Sequence, residues 1–163
     1  MSKTALYLAM LTFAAMTGVA SADPIKSPIV GVWKISSISV QLNPQQVIKP
    51  LGEHPSGYAT FTKGGHLAVV IVADNRPMPG TPPTDAEAAA LYRGLNAYDG
   101  TYRIHDKNRL TVHIEHAWTP LWSGNDQQRE FKITGRQLVI ISRSKSPTTG
   151  QDSVVTAISD RLE

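Results

Sequence analysis

The 163-residue sequence contains no cysteine, so no disulfide or thiolate chemistry is available to it. It contains no Gly-x-Ser-x-Gly, no Gly-x-Gly-x-x-Gly and no phosphate loop. Nucleophilic hydrolysis and dinucleotide chemistry therefore have no support. One-signed charge is also scarce. Sixteen basic residues face 13 acidic ones, and the basic residues do not cluster, which excludes the footprint of a nucleic-acid binder. Beyond residue 22 there is no long apolar run, so no further helix could span a membrane. Internal repeats, low-complexity tracts and a second domain are absent as well.

What is present begins with an export signal. Lys3 supplies a short positive region, Ala5 to Ala20 is apolar and small, and Ala20-Ser21-Ala22 offers the small-x-small pattern of signal peptidase. The apolar run is shorter than the roughly 18–20 residues that cross a bilayer, and no stop-transfer pattern follows. The competing reading is an uncleaved anchor helix. A lipoprotein anchor is excluded, because no cysteine stands at the cleavage site. Residues 1–22 are thus expected to be a signal peptide cleaved after Ala22, and the product periplasmic or secreted. Removing 22 residues from 163 leaves 141, one domain spanning 23–163 and large enough to bury a core without staples.

Asp23 to Pro28 reads as a Pro-bounded arm, and Ile29 to Leu42 as a long strand carrying Trp33. Residues 43–52 form a polar connection, and Glu53 to Gly57 a turn cluster. Tyr58–Thr62 and His66–Ala73 flank Lys63-Gly64-Gly65 and form a hairpin. A Pro/Gly-rich loop over 74–83 leads to Thr84-Asp85-Ala86-Glu87, a capping box. Ala86 to Arg93 has helix propensity, with Gly94 suited to the C′ position, and this helix should cover one end or side of the fold. Strands follow over Tyr98–His105, Leu110–Ala117, Gln127–Thr134, Gln137–Arg143 and Ser153–Leu162. About eight strands at short spacing and one helix predict an all-β, eight-stranded antiparallel up-and-down barrel or a sandwich. An eight-stranded barrel just holds one small ligand.

The chain also resembles a known family, the bacterial and fungal lipocalin-like domain, over roughly Ile29 to Leu162. The motifs are Gly31-Val32-Trp33-Lys34, Gly52-Glu53-His54-Pro55-Ser56-Gly57-Tyr58 and Thr62-Lys63-Gly64-Gly65-His66-Leu67-Ala68-Val69, then Tyr98-Asp99-Gly100-Thr101-Tyr102. They continue with His113-Ile114-Glu115-His116, Trp122-Ser123-Gly124 and Gln128-Arg129-Glu130-Phe131. The resemblance implies a calycin-type barrel with a small-molecule pocket, and it speaks to fold better than to activity. The family usually ends on an aromatic-x-Arg strand. Here the stretch is Ile158-Ser159-Asp160-Arg161, without the aromatic. By analogy with lipocalins, Arg161 would stack on Trp33 at the closed end of the barrel, a contact worth about 0.5–2 kcal/mol.

The strand Thr111 to His116 holds the most informative polar set. Alternation puts His113 and Glu115 on one face and Val112, Ile114 and His116 on the other. Either the apolar pair faces the interior and His113 and Glu115 face water, or His113 and Glu115 face the cavity. The recurrent motif positions favour the second reading. Facing inward, the two could form an acid/base couple, orient a polar ligand, or bind a metal with a third ligand such as His66. No recognised metal-ligand spacing supports the last option, and no cofactor is implied. Arg129 shares a face with Phe131 and Ile133, which makes its guanidinium a candidate to point inward. It would need a partner, either Glu115 or a ligand carboxylate. Tyr58, Tyr98 and Tyr102 are candidates to line the cavity or simply to fill the core. Trp118 and Trp122 flank a loop that forms a pocket mouth or caps a barrel end.

The expected function is binding of a small hydrophobic or amphipathic ligand in the barrel, oriented by His113, Glu115 and Arg129 with Tyr58, Tyr98, Tyr102 and Trp122 around it. The alternative is a barrel enzyme of isomerase or cyclase type, in which His113 and Glu115 move a proton. A packed barrel without a cavity is the third. The ligand and the oligomeric state do not follow from the residues.

Overall fold

The computed structural model describes residues 27–145 and 152–163. The expected signal segment, residues 23–26 of the arm and residues 146–151 lie outside the described residues. Ten elements follow one another: β1 (Gly31–Asn43), β2 (Gln46–Ile48), β3 (Ser56–Phe61), β4 (His66–Val72), α1 (Asp85–Arg93), β5 (Leu95–Ile104), β6 (Arg109–Ala117), β7 (Asp126–Thr134), β8 (Gln137–Lys145) and β9 (Asp152–Arg161). Each strand pairs antiparallel with its neighbour, and β1 closes the sheet by pairing with both β3 and β9. The result is an eight-stranded up-and-down barrel, with β2 as a short ribbon added beside the far end of β1. Among the described residues, closure leaves no long unpaired edge.

Strand direction divides the barrel into two ends. The turns β3–β4, β5–β6 and β7–β8 are short and lie with the chain entry at one end. The long connections, including α1 and the 118–125 loop, lie at the other. The short-turn end is closed by Trp33, which is 0 % exposed. Its indole N–H donates to the Ile29 carbonyl at 2.8 Å. The Arg161 guanidinium lies 4.1 Å from the ring centroid, so the expected stack forms without the missing aromatic. Arg161 also donates to the carbonyls of Val30 and Pro28, tying the last strand to the chain entry. Gly31 sits at φ +142°, and a Cβ there would come within 2.4 Å of the Glu163 carbonyl oxygen. The Gly-x-Trp opening thus needs its glycine for room as well as for backbone freedom.

Alternation sorts the strands as a half-buried sheet requires. On β4, Leu67, Val69 and Ile71 are buried while His66, Ala68 and Val70 are exposed. Three details differ from the sequence expectation. The 43–52 connection contains β2, because Asn43 Oδ1 accepts the Gln45 N–H at 3.0 Å and folds the chain back at Asn43-Pro44. Strand β5 starts at Leu95 rather than Tyr98. The Thr84–Glu87 capping box forms, but Gly94 has φ −85° and is not a left-handed C′ residue; its N–H bonds back to Ala90 and Tyr92. No residue of α1 is buried. Its Ala89, Ala90 and Leu91 are half-buried. Among the described residues no helix is long and apolar enough to cross a membrane.

Candidate functional site

Strand β6 decides the fate of the His-x-Glu pair. Leu110, Val112 and Ile114 are fully buried, whereas His113 and Glu115 are exposed. Burying two branched aliphatic side chains outweighs burying an imidazole and a carboxylate, which would lose hydration without a built partner. The inward reading of His113 and Glu115 is therefore corrected: both lie on the outer wall. His113 Nδ1 lies 2.7 Å from Asp126 Oδ1 there. A proton-transfer couple of His113 and Glu115 inside the barrel has no counterpart in this arrangement, nor has an Arg129–Glu115 pair. Tyr58 is corrected likewise. It shares the outer face of β3 with Thr60, opposite buried Ala59 and Phe61.

A β-bulge changes His116 as well. Asp99 pairs with His116 and Gly100 with Ile114, leaving Glu115 as the extra residue on β6. His116, which simple alternation puts beside Ile114, is turned outward and exposed. Its Nδ1 lies 2.8 Å from Asp99 Oδ1. Asp99, Glu115 and His116 offer three ligand atoms within 4.8 Å of one another, all exposed. They are the residues that could meet a metal ion, while the His66, His113 and Glu115 combination is not brought together as a group among the described residues. The hydrogen bond and charge of Asp99, with Glu115 adding, raise the His116 pKa above the ordinary imidazole value. The raised value means that this pair supports the fold below the unfolded imidazole pKa and loses that support as pH rises through the folded one. A proton NMR titration should find the His116 midpoint above that of an unpaired histidine and returned toward it in Asp99→Asn. An unshifted midpoint in the parent protein would contradict the pairing.

The interior polar site lies elsewhere. On β7 the inward residues are Gln127, Arg129, Phe131 and Ile133. Arg129 is only 7 % exposed. Its Nη1 donates to the Tyr98 hydroxyl and its Nη2 to Gln127 Oε1, both at 2.7 Å. Its Nε is buried without a partner among the described residues. None of the salt bridges among the described residues involves Arg129. A guanidinium is always charged, and taking one out of water costs several kcal/mol unless a counter-charge meets it. Tyr98 reaches Arg129 from β5, on the inward face it shares with buried Gly100 and Tyr102. The Trp122 ring meets Tyr98 edge to face at 5.7 Å, and Trp118 meets Trp122 at 4.8 Å. The loop bearing both tryptophans is tied to β6 and β5. Gly124 donates to the Ile114 carbonyl at 2.7 Å and Trp118 to the Ala97 carbonyl at 2.8 Å.

The structure thus brings Tyr98, Trp122 and Arg129 together and separates Tyr102 from them. Tyr102 is buried near the short-turn end, edge to face with Phe61 at 5.2 Å, and its hydroxyl donates to the Thr62 carbonyl at 2.7 Å. Burial raises its pKa. It fills and fastens the core. Gln127 belongs to the site and was not singled out by sequence reasoning, although alternation puts it on the face of Arg129. Around Arg129 the inward residues Tyr98, Ala117, Trp122, Ser142, Val155 and Ala157 are only half-buried. Those at the short-turn end, such as Trp33, Phe61 and Leu138, are almost wholly enclosed. The barrel is most tightly enclosed at the short-turn end, and several of the inward residues in the half that holds the guanidinium are only partly buried.

Removing the unpaired charge should leave a more stable protein when no ligand is bound. Arg129→Met keeps the volume and is expected to raise the free energy of unfolding in urea by about 1–2 kcal/mol. A loss of stability would mean that Tyr98 and Gln127 fully compensate the guanidinium.

Comparison with known proteins adds one finding: the family model of the lipocalin-like domain matches residues 30–161. No curated protein matches the chain.

Proposed function

The chain belongs to the lipocalin-like domain family, and from that premise we propose that it is an exported protein whose barrel binds a small, mostly apolar molecule with a polar end. The observation that carries this reading is Arg129: a guanidinium 7 % exposed, inside the barrel, with no carboxylate beside it among the described residues. A structural role alone would favour a well-packed aliphatic residue at that position. A charge retained there is explained by a partner that arrives from outside. The half-buried walls supply apolar contact, and Arg129, Tyr98 and Gln127 supply the few polar groups that orient a ligand. Residues 1–22 support export as a cleaved signal peptide. The exposed His113 and Glu115 take no part in this site, so the reading is of binding rather than proton transfer.

Native mass spectrometry of the protein purified from its own host's envelope or medium tests both halves. The expected polypeptide begins at Asp23 and carries a small-molecule adduct that is depleted in Arg129→Gln. An intact N-terminus with a bare barrel in every preparation would refute the proposal.

A further inference from the structure

The donors around Arg129 specify the polar end of the ligand. The Tyr98 hydroxyl accepts from Arg129 Nη1, which leaves its own O–H to donate. Gln127 Oε1 accepts from Nη2, which leaves its NH2 group to donate. Arg129 Nε–H is unengaged among the described residues, and each Nη keeps a second hydrogen. Unused hydrogens therefore outnumber unused acceptor lone pairs at this point, and the set bears one positive charge. Arg129 is the one basic residue among the described residues that is buried; Arg161, half-buried, belongs to the opposite, closed end.

Charge balance then selects a single negative charge. A phosphate dianion would leave a net negative charge in a site with no second buried cation, and desolvating it would not be repaid. An amine would bring a second positive charge beside Arg129. A planar monoanion matches the fork formed by Nε–H and one Nη–H, the side-on geometry in which guanidinium and carboxylate make two parallel hydrogen bonds.

We infer that the ligand is an organic carboxylate, its carboxyl group on the Nε edge of Arg129 and its apolar body along Tyr98, Trp122 and the small residues Ala117 and Ala157. The inference rests on the binding reading above and narrows it. The Tyr98 hydroxyl and Gln127 amide complete the carboxylate's shell, and Arg129 supplies the counter-charge. Binding turns a buried unpaired charge into a buried ion pair.

The test compares acids with uncharged analogues of the same body. Decanoate is paired with decanol, and naphthoate with naphthalenemethanol, so that both chain and ring bodies are sampled. Binding is read from tryptophan emission, since Trp118 and Trp122 adjoin the site, and from calorimetry, on the mature protein and on Arg129→Gln. At least one acid should bind the parent about tenfold or more tightly than its alcohol. In Arg129→Gln that preference should disappear while the alcohol's affinity stays the same. Equal affinity of acid and alcohol for the parent would overturn the carboxylate assignment and leave small-molecule binding standing. An acid preference that survives in Arg129→Gln would also overturn it. Failure of all four compounds to bind the folded parent would overturn both readings. If Arg129→Gln does not fold, the comparison on the parent still decides.

Discussion

Replacing Trp33 by alanine is expected to remove about 4 kcal/mol of stability, measured by urea unfolding. Three losses combine at one position. The ring is wholly enclosed and is the largest of the fully buried side chains, so its removal leaves a cavity the closed sheet cannot collapse to fill. The Ile29 carbonyl loses the indole N–H it accepts at 2.8 Å. Arg161 loses the face on which it lies at 4.1 Å. Domains of this kind have about 5–15 kcal/mol in total, so the variant should sit near the edge of folding. Trp33→Phe restores most of the volume and a π face but not the donor, and should cost only about 1–2 kcal/mol, the penalty of one unsatisfied carbonyl. A loss below 1 kcal/mol for the alanine variant would show that this end is not what holds the barrel shut.

Gly100→Ala should be at least as damaging for its size, with an expected loss of about 3–5 kcal/mol from backbone strain and overpacking together. Gly100 has φ +152°, and a Cβ there would lie 2.0 Å from the His113 carbonyl oxygen and 2.9 Å from the Glu115 amide nitrogen. Both are backbone atoms at the bulge that turns His116 outward, so neither can yield without breaking the ladder. The strain should appear as a loss of the Asp99–His116 contact as well as of stability. A Gly100→Ala variant within 1 kcal/mol of the parent, with the His116 titration unchanged, would mean that the bulge tolerates a side chain.

Much of this fold is legible in the chain. The Lys63-Gly64-Gly65 hairpin, the Thr84–Glu87 capping box and the strands after the helix follow from local rules of turn chemistry and period-two alternation. Arg129 facing inward is legible too, since Phe131 and Ile133 share its face. Tyr58 was readable as exposed, because Thr60 and Thr62 lie on its side and Ala59 and Phe61 on the other. The direction of His113 and Glu115 was equally present in Val112 and Ile114, and family resemblance argued against the local signal. The local signal prevails because a barrel interior rewards aliphatic burial and penalises unpaired polar groups. The bulge at Glu115 was not legible. It depends on the register between two strands, and alternation within one strand cannot report an extra residue relative to its neighbour. Nor could alternation show that Arg129 lacks a carboxylate, because that requires knowing that Glu115 points away.

The site that emerges is a single buried guanidinium held by Tyr98 and Gln127 inside a barrel sealed at its short-turn end by Trp33 and Arg161. The most direct measurement is the 15N-detected Nε–H resonance of Arg129, assigned through its loss in Arg129→Gln and followed while decanoate or naphthoate is added. The account predicts a saturable shift of that one resonance, with the resonances of surface arginines such as Arg103 and Arg136 unmoved. An Arg129 resonance that stays in place while a ligand demonstrably binds would contradict it.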